Sequence, residues 1–258
     1  MDILKQASEM LLNAASSSTP CEPVRALIGD SDVEAAYKVQ ALVNAHKSAN
    51  GDQLIGHKIG LTSPAVQKQL GVDQPDYGSL FQSMEIMNGG VLNWEDTMQA
   101  KAEAEIGFIL GKDLDMEALS ISEVMRAIEY VVPCIEIVGS RVKDWNIRIT
   151  DTVADNASAS HFVLGHGAKK LNEVDVVACK MIMSKNGTIV SEGTGAACLG
   201  SPINATWWLA KTMKQLGSPL KAGHIVLAGA LGPMVAAESG DHFEAVFTDL
   251  GSVSMSFS

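Results

Sequence analysis

Two glutamates separated by one residue mark a stretch of the sequence that could bind a metal ion. In the segment 101–110, Glu103 and Glu105 alternate with apolar residues, so in a β-strand both carboxylates would point to the same face. Two ionised carboxylates that close together on a half-buried strand repel each other and lose solvation unless a cation lies between them. The same spacing also fits the solvated face of an edge strand. The segment is therefore a candidate site for a hard divalent cation.

A third carboxylate, Glu136, favours the metal interpretation. It lies in the apolar run 131–138, where an unpaired charge would be costly. Three carboxylates form an all-oxygen ligand set that suits Mg²⁺, Mn²⁺ or Ca²⁺ better than zinc or copper, and they leave coordination positions open. An ion with open positions can hold the keto and carboxylate oxygens of a 2-oxo acid. The sequence has no EF-hand pattern, which would indicate a closed Ca²⁺ site.

Two further residues are candidates for acid/base chemistry. Lys58 lies in the glycine-bracketed string 56–60, where a buried amine could have its pKa lowered into a catalytic range. A surface lysine on an edge strand would give the same pattern. Asp76 lies in the turn-forming string 74–78 and is predicted to be exposed on a loop, either as a catalytic carboxylate or as part of an ordinary turn.

The segment 151–158 collects small polar groups and ends in Ser158. These groups could hydrogen-bond a bound carboxylate or an ordered water, but an Asx-turn and helix-cap region explains them better from the sequence alone. The histidines form no i,i+4 pair, so none is assigned to a metal. The sequence lacks a Gly-x-Ser-x-Gly elbow, a P-loop and a dinucleotide fingerprint, which argues against serine hydrolases, phosphate-loop enzymes and dinucleotide enzymes.

The charge and cysteine content narrow the class of partner. The chain of 258 residues has a formal net charge of −11, which argues against nucleic acid or an acidic membrane surface and favours a small molecule. An anionic substrate would need a local cation, either a metal or a positioned Lys or Arg. The four cysteines show no CxxC spacing and are interpreted as reduced thiols, mostly in the core. Without a secretory signal or an apolar run of about 18 residues, a cytoplasmic location is predicted.

The elements that position these residues divide into two parts. Residues 1–52 are predicted to form an N-terminal helical segment of two amphipathic helices, the second starting with a capping box of Ser31 and Glu34. Residues 53–258 contain Gly, Pro and short apolar runs, which predict a β-rich catalytic domain. The segments 54–61 and 101–110 are predicted strands.

Further along the β-rich part, a helix capped by Ser120 is predicted to continue as far as Pro133, which should end it and start the strand that contains Glu136. Asn186-Gly187 predicts a type I′ hairpin, and a helix is predicted to begin at Pro202 and to end before Gly217. Three alternating C-terminal runs are predicted to be strands of one sheet: 224–228, 243–247 and 252–257.

Eight short strings are more specific than these patterns. They are Gly56-His57-Lys58-Ile59-Gly60-Leu61-Thr62, Gln74-Pro75-Asp76-Tyr77-Gly78, Glu103-Ala104-Glu105, Pro133-Cys134-Ile135-Glu136, Gly139-Ser140-Arg141, Asp144-Trp145, Asp151-Thr152-Val153-Ala154-Asp155-Asn156-Ala157-Ser158 and Gly229-Ala230-Leu231-Gly232-Pro233. In order and over nearly the whole chain, they resemble the 2-keto-4-pentenoate hydratase (2-hydroxypenta-2,4-dienoate hydratase) family of the fumarylacetoacetate hydrolase superfamily. The resemblance implies an α+β fold, a mixed β-sandwich roll of the fumarylacetoacetate hydrolase type with an N-terminal helical segment. It also implies a homo-oligomer, a pentamer or decamer.

The resemblance further implies a role for each matched residue. The ligands of Mg²⁺ or Mn²⁺ would be Glu103, Glu105 and Glu136. The acid/base groups would be Lys58 and Asp76. The substrate contacts would be Ser158 and Leu80. The implied reaction adds water to 2-hydroxypenta-2,4-dienoate, or to a substituted analogue, and gives 4-hydroxy-2-oxopentanoate in the meta-cleavage degradation of aromatic compounds. C5 would be protonated to give a conjugated ketone, water would add at C4, and C3 would then be protonated.

Two departures from the family pattern concern the far end of the substrate. His57 stands where the family commonly has Lys or Arg, and Ala159-Ser160-His161 replaces a small Ser-Cys-Gly string. A substituted dienoate or a longer 2-oxo acid therefore stays an alternative substrate.

Three alternative functions stay open. They are a 4-oxalocrotonate decarboxylase, a hydrolase of acylpyruvates, for which no water-activating residue is identified, and a non-catalytic metal-binding subunit of a decarboxylase. Asp144-Trp145 and Gly232-Pro233 favour the hydratase, and the complete set of acid/base and carboxylate residues argues against a silent subunit. A pathway decarboxylase or aldolase is the expected protein partner.

Overall fold

Two β-sheets and a group of helices make up the computed structural model, which describes residues 2–63, 67–68 and 72–258. The helices are α1 (Ile3–Ser17), α2 (Arg25–Ile28), α3 (Val33–Ala49), α4 (Ile121–Ala127), α5 (Ile149–Ala154) and α6 (Pro202–Gln215). Within these described ranges, no helix is both long and apolar enough to cross a membrane.

The strands form one large and one small sheet. They are β1 (Leu54–Gly60), β2 (Asp76–Phe81), β3 (Glu85–Ile86), β4 (Val91–Leu92), β5 (Lys101–Leu110), β6 (Ile128–Val138), β7 (Ala159–Leu164), β8 (Lys180–Lys185), β9 (Thr188–Thr194), β10 (Ile225–Ala230), β11 (Val235–Ala236), β12 (His242–Phe247) and β13 (Gly251–Phe257). The large sheet has the order β2-β1-β10-β5-β6-β7-β3, with β11 also paired to β5, and the small sheet has the order β4-β13-β12-β8-β9. Parallel and antiparallel pairs occur in both sheets. This arrangement confirms the predicted α+β fold.

The alternation of β5 decides which face of the large sheet is core and which carries charge. Ala104, Ile106 and Phe108 are fully buried and belong to one apolar cluster with Phe243 and Met255 of the small sheet. Side chains at the intervening positions of β5 point to the other face. The apolar contact between the sheets therefore fixes the orientation of the carboxylates of β5.

The helices α1 and α3 pack together and cover α5, through a second cluster that includes Leu11, Val39 and Val153. The sequence predicted two helices here, whereas the structure has the short α2 between them. The predicted capping box is wrong by one residue, because the N-cap of α3 is Asp32, whose carboxylate accepts from the Ala35 N–H at 2.9 Å. The boundary at residue 52 stays a prediction.

The predicted course of the chain around Pro133 is wrong. Helix α4 already ends at Ala127, and β6 runs through Pro133 in the interior of the sheet. The carbonyl of Pro133 accepts from the Gly165 N–H at 2.8 Å on the side of β7, and β7 itself ends at Leu164. The missing N–H of proline thus faces β7 where the β6–β7 ladder ends, a position at which a sheet tolerates proline.

The prediction that the three C-terminal runs share one sheet is also wrong. Strand β10 lies in the large sheet between β1 and β5, whereas β12 and β13 pair with each other in the small sheet. The local predictions are confirmed: Asn186 (φ 52°) and Gly187 (φ 80°) form the left-handed pair that joins β8 to β9, and α6 begins at Pro202.

Candidate active site

A cavity of about 520 Å³ lies on the charged face of the large sheet. Its wall includes Lys58 of β1, Asp76 of β2 and Glu103 of β5, together with Ser158 from the segment that follows α5. Four separate parts of the chain therefore supply polar side chains to one concave site. Such a convergence in a cavity of this size is typical of a small-molecule site.

The strand register brings the three glutamates together. Glu103 of β5 is the direct antiparallel partner of Glu136 of β6, and Glu105 lies two residues further along β5 on the same face. One carboxylate oxygen from each residue lies within 4.8 Å of the other two. The predicted convergence of the three carboxylates is thus present, although Glu136 is far from the other two in the sequence.

The three carboxylates have little internal compensation for their charge. Burial raises the pKa of all three glutamates. For Glu103 and Glu105, the neighbouring Glu136 raises the pKa further. Glu105 accepts one hydrogen bond, from the Gly229 N–H at 2.9 Å, whereas neither carboxylate oxygen of Glu136 accepts a well-directed hydrogen bond, although the Lys58 ammonium lies close to one of them. Buried, unsatisfied acceptors that converge on one point fit a bound divalent cation, because a cation would satisfy them and reverse the pKa shifts.

Lys58 lies at the edge of this cluster. Its Nζ is 3.3 Å from Glu136 Oε1, and both side chains are almost fully buried. Burial alone would lower the pKa of Lys58, but Glu136 and Asp76 outweigh it and raise the pKa above the ordinary value. The expected lowered pKa is therefore wrong for the metal-free chain, in which Lys58 is an ammonium group.

Asp76 is buried, not exposed on a loop as predicted. It is the first residue of β2, is 3 % exposed and pairs with Gly60 of β1. Burial raises its pKa, and Lys58 partly offsets this. A Cβ on Gly60 would lie 2.2 Å from Asp76 Oδ1 and 3.4 Å from Lys58 Nζ, so the glycine allows both groups to approach the same piece of backbone.

The polar segment 151–158 divides into structural and cavity-facing residues. Asp151 accepts from Arg25, and Asp155 forms an ion pair with Arg141 at 2.5 Å, so both aspartates anchor the segment. Ser158 lines the cavity and its Oγ lies 3.0 Å from that of Thr152. The segment reaches this position through left-handed backbone at three consecutive residues, Asn156, Ala157 and Ser158, a strained conformation of the kind found at functional sites.

Three other predicted positions do not line this cavity. Leu80 is 1 % exposed and packs with Phe81 and Phe162 in a separate apolar cluster, so its side chain is not available to a ligand there. His57 is buried, with its ring 6.0 Å from that of His224. His161 lines a different cavity of about 420 Å³. The two sequence departures therefore do not contact the far end of a ligand in the carboxylate cavity.

Several residues of the cavity wall have no site role that was predicted from the sequence. Trp145, Ile147 and Met234 supply apolar surface, and Thr62 supplies a hydroxyl. Two of these residues lie in strings that carry the family resemblance: Thr62 in the string 56–62 and Trp145 in the pair Asp144-Trp145. An aromatic side chain in a loop is a frequent ligand contact.

The pKa shifts predict how pH affects the metal-free protein. Burial and Glu136 raise the pKa of Glu103 to about 7, so the folded state binds more protons than the unfolded state up to that pH, and this contribution to stability is lost as pH rises. His57 and His161, whose pKa values burial lowers to about 3 and about 4, act in the opposite direction. Only a comparison with a Glu103→Gln variant isolates the carboxylate, because the histidine contributions cancel.

After removal of metal with a chelator, we therefore expect the Glu103→Gln variant to gain stability relative to the wild type as pH rises from 6 to 8. Thermal unfolding of both proteins across this range measures the difference. A difference that stays constant with pH would contradict the raised pKa. Saturating Mg²⁺ should stabilise the wild type more at pH 8 than at pH 6.

Comparison with known proteins places this geometry in a family. The protein-family model for the fumarylacetoacetate (FAA) hydrolase C-terminal region matches residues 60–257 of the sequence. The chain is 50 % identical over 254 residues to the TodF product hydratase of Pseudomonas putida, covering 98 % of this chain and 95 % of the relative. It is 47 % identical over 253 residues to the 2-keto-4-pentenoate hydratase of Paraburkholderia xenovorans, covering 98 % and 94 %.

A solved structure has nearly the same fold. The 4-oxalocrotonate decarboxylase of Pseudomonas putida G7, complexed with magnesium and adipate, superposes with a TM-score of 0.94 at 32 % identity and covers 99 % of this chain and 97 % of that one. The relatives of higher identity are named hydratases. By the match over residues 60–257 and by these full-length relatives, the chain belongs to the fumarylacetoacetate hydrolase family, in its 2-keto-4-pentenoate hydratase branch.

Proposed function

We propose that the chain is a metal-dependent hydro-lyase that adds water to 2-hydroxypenta-2,4-dienoate, or to a substituted analogue, and forms 4-hydroxy-2-oxopentanoate in a meta-cleavage pathway. The observation that carries the proposal is the convergence of three carboxylates, of which Glu103 lines the cavity together with Lys58 and Asp76. The full-length hydratase relatives support the same reaction type.

Glu103, Glu105 and Glu136 would hold the divalent cation, and we propose Mg²⁺ or Mn²⁺ for it. Their oxygen donors suit a hard ion, and the carboxylate of Glu136, which accepts no well-directed hydrogen bond, is available to coordinate one. When bound, such an ion supplies Lewis acidity toward the 2-oxygen and the C1 carboxylate of the substrate. It would also provide the local cation that an anionic substrate needs in a chain with a net charge of −11.

The remaining groups of the cavity are assigned to proton transfer and orientation. Lys58 is an ammonium group held between Glu136 and Asp76, and we assign to it the donation of a proton to the dienoate carbon chain. Asp76 has one carboxylate oxygen without a hydrogen-bond donor, which leaves it free to accept a proton from the added water. The hydroxyls of Thr152 and Ser158, 3.0 Å apart, can orient that water or a substrate oxygen.

One pair of assays separates this proposal from the decarboxylase alternative, which the fold similarity keeps open. The purified protein with Mg²⁺ is given 2-hydroxypenta-2,4-dienoate in one reaction and 4-oxalocrotonate in another. We expect loss of the dienol absorbance in the first and no CO₂ release in the second. Release of CO₂ without dienoate hydration would assign the decarboxylase, and inactivity on both acids would indicate a non-catalytic subunit; either outcome overturns the proposal.

Quaternary structure is a separate proposal. We propose a homo-oligomer, the pentamer or decamer that the family resemblance implies, with a pathway decarboxylase or aldolase as its functional partner. Light scattering after size-exclusion chromatography measures the mass directly. A monomer of 27.3 kDa at micromolar concentration would contradict it.

A further inference from the structure

Trp145 is the bulkiest of the cavity-lining residues that have left-handed backbone. Asp144 (φ 58°) and Trp145 (φ 52°) both have left-handed backbone, although neither is glycine and Trp145 is bulky. Left-handed conformations at such residues are unfavourable and persist only where the surroundings impose them. The strain directs attention to what the tryptophan ring does.

Two interactions hold the ring in one orientation. Its Nε1–H donates to the carbonyl of Gln99 at 2.9 Å, and the ammonium of Lys101 lies 4.1 Å from the ring centroid, in cation–π contact. The Gln99 amide in turn donates to the carbonyls of Ser140 and Val142, both at 2.8 Å. A large aromatic surface is therefore presented to the cavity with little rotational freedom.

The strand register gives the position of the ring relative to the carboxylates. Lys101, which contacts the ring, pairs with Val138. Lys101 lies two residues before Glu103 and Val138 two residues after Glu136, so this pair is on the same face as the Glu103–Glu136 pair. Two residues of a strand span about 6.6 Å. Val138 also lines the cavity, so the apolar wall begins one side-chain repeat away from the proposed metal ligands.

The cavity is larger than the simplest substrate needs. Its volume of about 520 Å³ falls in the range occupied by drug-sized ligands, so the cavity has room for more than a five-carbon acid. The apolar part of the cavity wall includes Trp145, Ile147 and Leu231, together with the half-exposed Met234. The same wall carries the charged groups of Lys58, Asp76 and Glu103, and Glu192 is a further charged residue in it. Charged groups together with a large apolar surface match an acid with an apolar tail.

We propose that Trp145 is a specificity-determining residue that limits the length of the apolar substituent on the C5 end of a 2-hydroxy-2,4-dienoate. This inference rests on the proposed hydratase function. The fixed ring of Trp145 packs against short tails and excludes longer ones. Met234, which has a flexible side chain, can adapt to tails of different length. The ligand class is therefore a 2-hydroxy-2,4-dienoate with a small alkyl group or none at C5.

The test compares substrates of increasing tail length in variants of Trp145. The values of kcat/KM for 2-hydroxypenta-, 2-hydroxyhexa- and 2-hydroxyocta-2,4-dienoate are measured with saturating Mg²⁺ for the wild type, Trp145→Phe and Trp145→Ala. We expect the octadienoate-to-pentadienoate ratio to rise about tenfold or more in Trp145→Ala, since a few methylenes change discrimination by at least that factor. Trp145→Phe should keep a ratio near the wild-type value.

Trp207 provides a matched control outside the cavity. Its Nε1–H also donates to a carbonyl, that of Leu119, at 2.9 Å, and the ammonium of Lys211 lies 3.5 Å from its ring centroid. Trp207→Ala should destabilise the protein without changing the substrate ratio. An unchanged ratio in Trp145→Ala, with the wild type active on the pentadienoate, would overturn the inference. A wild type inactive on every dienoate would instead overturn the proposed function.

Discussion

Replacing Glu105 with Gln should abolish measurable Mg²⁺-dependent turnover while leaving the metal-free fold as stable as that of the wild type. Burial, Glu136 and Glu103 raise the pKa of Glu105 well above its ordinary value, so the uncharged acid is favoured without metal, and Gln has the same shape. The Gln side-chain oxygen can still accept from the Gly229 N–H. The loss of a charged ligand should weaken the affinity for Mg²⁺ by more than about 100-fold, because even substitution of a residue that only hydrogen-bonds a metal ligand lowers metal affinity about 10- to 100-fold.

Thermal unfolding with and without Mg²⁺, together with steady-state hydration rates, measures both parts of this prediction. Glu244→Gln is the matched control, since Glu244 lies on an exposed position of β12. The control should keep both the Mg²⁺-induced stabilisation and the activity. Undiminished Mg²⁺ stabilisation in Glu105→Gln would remove Glu105 from the ligand set.

Lys58→Met should lower kcat by about 10²- to 10⁴-fold, the contribution typical of a positioned acid/base group, while divalent-cation binding is retained. The substituted side chain has a similar length but no proton to donate. Removal of the ammonium also leaves Glu136 without its cationic neighbour, so the metal-free variant should be less stable than the wild type. Mg²⁺ should restore much of that loss, because the cation replaces the missing charge.

Single-turnover hydration and Mn²⁺ binding, measured on the same preparation, separate the two effects. Lys47→Met is the control: Lys47 is a half-buried lysine of α3 that lines the other cavity, and its substitution should leave kcat unchanged. Lys58→Met that keeps wild-type kcat would exclude Lys58 from proton transfer.

The sequence allowed the carboxylate cluster to be predicted because its signals are local. The two-residue period of a strand places Glu103 and Glu105 on one face, and an apolar run makes Glu136 conspicuous. Their convergence depends on the β5–β6 register, which the family resemblance implied but the periodicity alone did not. The same local chemistry gave the hairpin at Asn186-Gly187 and the helix that begins at Pro202.

Three of the wrong predictions share a non-local cause. Asp76 follows a turn string, but pairing with Gly60 of β1 buries it. The strand β10 resembles β12 and β13 in pattern, but it inserts between β1 and β5 of the other sheet. Pro133 was expected to end a helix, whereas its place at the end of the β7 ladder lets it lie within a strand. In each case a partner distant in the sequence decided the outcome.

The wall of the cavity was the part least accessible from the sequence. Trp145 reaches the site through a strained loop and contacts with Gln99 and Lys101, none of which follows from periodicity. Conversely, Leu80 belongs to the family pattern, yet its side chain packs in the core. Of the residues that the resemblance implied, the polar Lys58, Asp76, Glu103 and Ser158 line the cavity, whereas the apolar Leu80 does not.

The central claim is that one divalent cation, held by three glutamates, is required for hydration. The most direct test titrates Mn²⁺ into the metal-depleted protein, with bound metal and dienoate hydration measured in parallel. The account predicts one ion bound per chain and a hydration rate that rises in proportion to occupancy. Full hydration by the metal-depleted protein would contradict it.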